Sequence, residues 1–146
     1  SAAPASAPPA APRTPAVQRT ETPEPAAQHA TPEAIKARME ATHKWINSDM
    51  GGAFSIQLLI ADDVEQLRKH LKDLPKFIEI NDLYMYRSVA RGRPMFNLLW
   101  GSYADRMVAQ EDLAGLPPSL RRSQPYVRTL SGIRAEYDRH HEVARR

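Results

Sequence analysis

The sequence predicts an α+β domain: a two-layer sandwich whose four-stranded antiparallel sheet follows the order β-α-β-β-α-β. Three observations predict it. Four short runs rich in β-branched and aromatic residues are bounded by turn signals. Two stripes with helical periodicity separate the first run from the second and the third from the fourth. A short Gly-containing turn joins the second and third runs as a hairpin. In this arrangement both helices pack on one face of the sheet, and the other face is expected to stay open as a ligand platform.

The elements follow in order. Residues 1–31 read as a disordered, Pro/Ala-rich linker, because residues 1–32 hold eight of the thirteen prolines and show no apolar periodicity. A flanking helix occupies residues 32–48. Thr31 is suited to cap it, Pro32 to its first position and Glu33 to its positive end. Ile35, Met39 and Ile46 fall near one face with Trp45 beside them, and Asp49, Gly51 and Gly52 end it. The main domain spans residues 53–131. Phe54–Ile60 is its first strand, with Phe54, Ile56, Leu58 and Ile60 assigned to one face and Ser55, Gln57 and Leu59 to the other.

A helix from about Asp62 to Leu74 buries Val64, Leu67, Leu71 and Leu74. Asp62 and Glu65 have capping-box spacing, and Pro75 ends the helix. Leu83–Val89 is the second strand, Ala90-Arg91-Gly92-Arg93 the turn, and Met95–Trp100 the third strand. Parity groups Phe96, Leu98 and Trp100 as core and turns Asn97 and Leu99 to the opposite face. Ser102 is expected to cap the next helix, with Asp105 at the third position and Ala109, Leu113 and Leu116 facing inward. Leu120–Gln124 reads as a polar connection. Pro125–Leu130 is the fourth strand, at an edge. Residues 132–146 form a tail in which 133–145 suit a short, mostly polar helix.

Composition excludes several functions. The chain has 146 residues, a net charge of +3 and no Cys. Without Cys there is no disulfide framework, thiolate metal site or Cys nucleophile. Residues 1–47, 48–131 and 132–146 carry five, eleven and four basic residues against four, ten and three acidic ones. The charge is spread evenly, unlike the concentrated footprint of a nucleic-acid binder. Of the five His, His140 and His141 are adjacent and point apart on a helix, and the others are scattered, so no metal site is predicted. Asp62-Asp63 and Glu111-Asp112 read as caps and solvated faces and not as a catalytic carboxylate pair. No phosphate-cradling glycine loop is present. The expectation is a non-enzymatic module without cofactor or metal. No apolar run is long enough to cross a membrane, so any anchor is expected outside this chain. Gln57, a polar residue in a largely apolar strand, is expected on the open face. Tyr126 is the aromatic least easily explained as core.

These residues resemble a known family. Phe54-Ser55-Ile56-Gln57-Leu58 resembles the opening strand of SPOR (sporulation-related repeat) domains. Gly92-Arg93-Pro94-Met95-Phe96 followed by Leu98-Leu99-Trp100-Gly101-Ser102-Tyr103 is similar to the family's hairpin and helix entry. Leu113-Ala114-Gly115-Leu116-Pro117 resembles its helix ending, Gln124-Pro125-Tyr126-Val127-Arg128 its last strand, and Trp45-Ile46 a Trp-Leu pair that precedes the domain in one subgroup. The resemblance covers about Trp45 to Glu136 and implies a periplasmic, cell-envelope protein, tethered to the inner membrane in its parent protein. It implies binding of peptidoglycan glycan strands stripped of stem peptides, often at the division septum. The glycan would lie on the open sheet face, bonded by Gln57 and stacked on Tyr126, with Tyr86, Asn97 and Arg128 as further candidates. The chain differs from the family pattern in the apolar Leu59-Ile60-Ala61, in Tyr126 where Trp is common, and in Asn97. A protein–protein module of a pilus or secretion assembly is therefore the alternative. RNA binding on the sheet ranks last, because residues 91–98 lack the basic-Gly-aromatic pattern of RNA-binding sheets.

Overall fold

The computed structural model describes residues 30–48 and 52–145. The expected linker lies almost wholly outside the described residues, as do Asp49 and Gly51. The chain forms α1 (Pro32–Ile46), β1 (Phe54–Ala61), α2 (Val64–Lys72), a 3-10 turn (Ile80–Asp82), β2 (Leu83–Ala90), β3 (Arg93–Tyr103), α3 (Arg106–Ala114), the one-turn α4 (Pro118–Arg121), β4 (Tyr126–Thr129) and α5 (Leu130–Arg145). The α+β class and the four-stranded antiparallel sheet agree with the sequence prediction. The spatial strand order is β2-β3-β1-β4.

Local chemistry sets the boundaries. Thr31 caps α1 by accepting from the Ala34 amide at 3.1 Å. The cap of α2 is Asp63, one residue later than expected: it accepts from the Gln66 amide at 2.9 Å, while Gln66 reaches back to the Asp62 amide at 3.0 Å. The expected capping pair Asp62 and Glu65 is thus displaced by one residue. Likewise Ser102 does not cap α3. β3 continues through Tyr103, and Asp105 is the cap, accepting from the Met107 amide at 2.8 Å. Arg91 and Gly92 turn the hairpin with φ of 57° and 78°, the paired left-handed conformation of a type I′ turn. The connection after α3 is not wholly polar, because α4 buries Leu120.

The main core lies between the sheet and α2 and α3. Leu67, Leu71 and Ala109 from the helices meet Ile56, Leu58, Met85 and Leu98 from the strands, with Phe96 and Trp100 partly buried against them. Val64, expected in that stripe, is 41% exposed. A bulge corrects the assignment of faces in β1. Gln57 pairs with Leu99, but Leu59 pairs with Leu98, so Leu58 is the extra residue. One extra residue reverses the alternation beyond it. Leu58 and Leu59 both enter the core, Ala61 follows, and Ile60 moves to the opposite face, 49% exposed.

That opposite face is not open along its length. α5 lays Ile133 and Tyr137 on it, α1 adds Ile46, and together they bury Tyr86 and Leu99 in a second core. The mostly polar helix expected over 133–145 is present as Leu130–Arg145, and its few apolar side chains make it a structural layer and not a tail. α1 also guards the β2 edge. Thr42 Oγ1 accepts from the Met85 amide at 2.8 Å, and Arg38 Nε donates to the Leu83 carbonyl at 3.0 Å. Edge groups that would otherwise recruit another strand are thus occupied.

Gly52 allows β1 to start tight against the end of β3. The Ala53 amide donates to the Tyr103 carbonyl at 2.7 Å, and a Cβ at Gly52 would stand 2.5 Å from that same oxygen. The obstacle is backbone and cannot rotate away. Gly52→Ala is expected to cost about 2 kcal/mol by overpacking, read as a lowered urea midpoint. Wild-type stability in that variant would show that the two segments part at little cost.

Candidate functional site

β1 and β4 pair in register, with Gln57 opposite Tyr126 and Ser55 opposite Arg128. β3 places Asn97 on the same face, and β2 adds Tyr86 opposite Asn97. All five residues expected to bind ligand therefore share one face, but they differ in access. Gln57 is 2% exposed, and Tyr86 and Asn97 are 1% exposed each, whereas Tyr126 is 50% exposed.

The buried members bond to one another. Arg128 Nη1 donates to Gln57 Oε1 at 2.6 Å and to Tyr86 Oη at 2.8 Å, and lies 3.1 Å from Glu136 Oε1. Tyr86 Oη donates to Glu136 Oε1 at 2.5 Å. Gln57 Nε2 donates to Asn97 Oδ1 at 3.3 Å, and Asn97 Nδ2 donates to Ser88 Oγ at 2.8 Å. Burial raises the Tyr86 phenol well above the usual tyrosine range, and its hydrogen bond to Glu136 adds to the effect. Burial works against the Arg128 charge, but Tyr86 and Glu136 outweigh it, and its basicity rises overall. A polar chain of this kind, with its partners matched, is what a buried face requires.

The amide of Gln57 is thus engaged at both ends within the protein. It positions Arg128 and Asn97 and does not project a free amide to solvent. The expectation that Gln57 stands on an open face is corrected here, because α5 covers that half of the sheet. Glu136 and Ser88, which complete the network, were not anticipated. Glu136 belongs to a helix that the sequence presents as mostly polar, and its position three residues after Ile133 was the only signal available.

The accessible part of the face lies beyond the helices, where β1 outruns β4. There Tyr126 and Ile60 stand exposed, and a cleft of about 280 Å³ opens beside them. His70, Ser123 and Gln124 are the polar residues of its lining besides the internally bonded Gln57. Gln124 holds φ at 57°, left-handed for a residue with a side chain, and turns the chain immediately before Pro125 and Tyr126. Such strain recurs at binding sites. An aromatic face beside amide, hydroxyl and imidazole groups suits a ligand with one apolar side and several hydroxyls or amides.

Among the described residues, no group of three His, Asp or Glu side chains is arranged to hold a metal ion, and no helix is long and apolar enough to cross a membrane. The fold and this site define an α+β domain with a half-covered sheet face. No protein-family model matches the chain, and no curated protein matches it.

Proposed function

We propose that the protein is a non-catalytic glycan-binding module of the bacterial cell envelope. It takes a denuded peptidoglycan strand at the uncovered end of the sheet face. The observation that carries this reading is the exposure of Tyr126 on the same face as Gln57, at the mouth of a cleft lined by both. Tyr126 offers its ring to a sugar face, and Ser123, Gln124 and His70 offer bonds to hydroxyl and acetamido groups. Gln57 acts indirectly: through Arg128 it anchors β4, which carries Tyr126. The resemblance to SPOR domains supports the choice of glycan, and a periplasmic location follows from it.

The test is co-sedimentation of the intact chain with amidase-treated and untreated sacculi. The chain is expected to pellet with the denuded material. Tyr126→Ala is expected to weaken binding roughly tenfold, about 1.4 kcal/mol, as an aromatic anchor lost from a contact surface. Because Tyr126 is exposed, the variant keeps its fold. A wild-type chain that stays in the supernatant would remove the proposal.

A second reading rests on a separate observation. β4 pairs only with Phe54–Gln57 of β1, so the outer side of Leu58–Ala61 has no strand beside it among the described residues. An extended segment of an envelope partner fits there by strand addition. Co-purification with such a partner, without sacculus binding, favours it.

A further inference from the structure

A larger recess lies on the other side of α1, away from Tyr126. It opens between α1, the start of α2, β2 and the far part of α5, and encloses about 760 Å³. That is the size of a small-molecule site. Its lining is mainly apolar, drawn from Ile35, Met39, Val64, Met85 and Tyr137. Val64 is informative. Its helical spacing predicts burial with Leu67 and Leu71, yet it is 41% exposed and lines this recess. Part of its apolar surface is thus open to the recess.

The charges around the recess are unbalanced. Arg68 and Glu65 pair with each other at 3.3 Å. The other charged residues of the lining are Lys36, Lys44 and Arg87 against Glu40. Lys36 and Lys44 lie two turns apart along α1, about 12 Å at 1.5 Å per residue, so positive charge borders the recess along much of its length. Lys36 and Lys44 flank Glu40 along α1, and Arg87, whose guanidinium lies over the Phe96 ring at 5.4 Å, adds a third cation to the lining. This excess of positive charge favours an anion over a cation. A glycan strand would leave many of its hydroxyls against Met39 and Val64 without partners. The complementary ligand is apolar in its body and anionic at one end.

We infer that this recess binds a free amphiphilic carboxylate, with an alkyl chain on the apolar floor and its head group beside Lys36 or Lys44. The inference does not rest on the glycan reading, since none of the residues that carry it lines the Tyr126 cleft. The test uses the full chain and dodecanoate below its micellar concentration, followed by calorimetry and by methionine-methyl NMR. Saturable binding is expected, with shifts at the Met39 and Met85 methyl groups. Val64→Trp, at an exposed position, fills the recess and is expected to abolish binding. The double charge reversal Lys36→Glu with Lys44→Glu is expected to weaken it about tenfold, near 1.4 kcal/mol. Both lysines are exposed, so the fold is retained. Absence of saturable binding overturns the inference. So does equal binding of dodecyltrimethylammonium, or binding only to phosphatidylglycerol vesicles. Sacculus binding by Val64→Trp is expected to stay at the wild-type level, which separates this site from the glycan site.

Discussion

Replacing Arg128 with alanine is expected to lower the unfolding free energy by about 3 kcal/mol, in the range found when one partner of a largely buried ion pair is removed. The guanidinium bonds Gln57 and Tyr86 and lies within salt-bridge distance of Glu136, and its side chain is only 16% exposed. Its removal leaves the Glu136 carboxylate without its cation and the Gln57 carbonyl without a donor. Desolvation of those groups was already incurred on folding, so the loss exceeds the worth of an ordinary hydrogen bond. Urea denaturation of Arg128→Ala beside Arg122→Ala checks this, because Arg122 is an exposed surface residue whose loss is expected to change stability by under about 0.5 kcal/mol. A difference of less than about 1 kcal/mol between the two would mean that water reaches the network and screens it. Arg128→Ala should also weaken sacculus binding, since β4 carries Tyr126 and meets β1 over only four paired positions.

The second large effect is expected at Ile133. This side chain is fully buried, and with Ile46 and Tyr137 it closes the covered half of the sheet over Tyr86 and Leu99. Ile133→Ala removes buried methyl groups and leaves a cavity that α5 and β2 cannot easily collapse into, at a cost of about 3 kcal/mol. Hydrogen exchange distinguishes the possibilities. If α5 is a structural layer, amides of β2 and of α5 lose protection together. If α5 is a loosely held tail, exchange rises in α5 alone, and the sheet face is open as the sequence suggested.

Much of the fold was legible in the sequence. Helices α2 and α3 carry their own stripes of leucine and alanine, the hairpin carries its glycine, and Phe96, Leu98 and Trp100 share a parity that holds in the core. These signals are local: each depends on residues a few positions apart. Parity within a strand set Gln57 and Asn97 apart from the core residues of their own strands. The placing of Tyr86, Tyr126 and Arg128 on the same face rested instead on the family resemblance, because the faces of different strands coincide only through their pairing. The bulge at Leu58 was not. A single extra residue leaves no compositional mark, and it reverses the sides of Leu59 and Ile60. With the bulge, the apolar Leu59-Ile60 pair divides its roles: Leu59 fills the core and Ile60 stands exposed beside Tyr126.

The amino-acid sequence alone therefore determined the α+β class, the order of the main strands and helices and which side chains share a face within the first and third strands. Those follow from periodicity, capping and turn chemistry, which act over short stretches of chain. The tertiary structure alone decided which side chains of the shared sheet face a ligand can reach. Ile133 and Tyr137 of α5 and Ile46 of α1 cover one half of the face, turning Gln57, Tyr86, Asn97 and Arg128 into partners of one another. The other half, with Tyr126 and Ile60, stays exposed. The physical reason is that an apolar stripe on a terminal helix states that it must be buried but not against which surface. That choice depends on long-range packing, here between residues about 90 positions apart, as when Arg134 Nε donates to the Ile46 carbonyl at 2.9 Å.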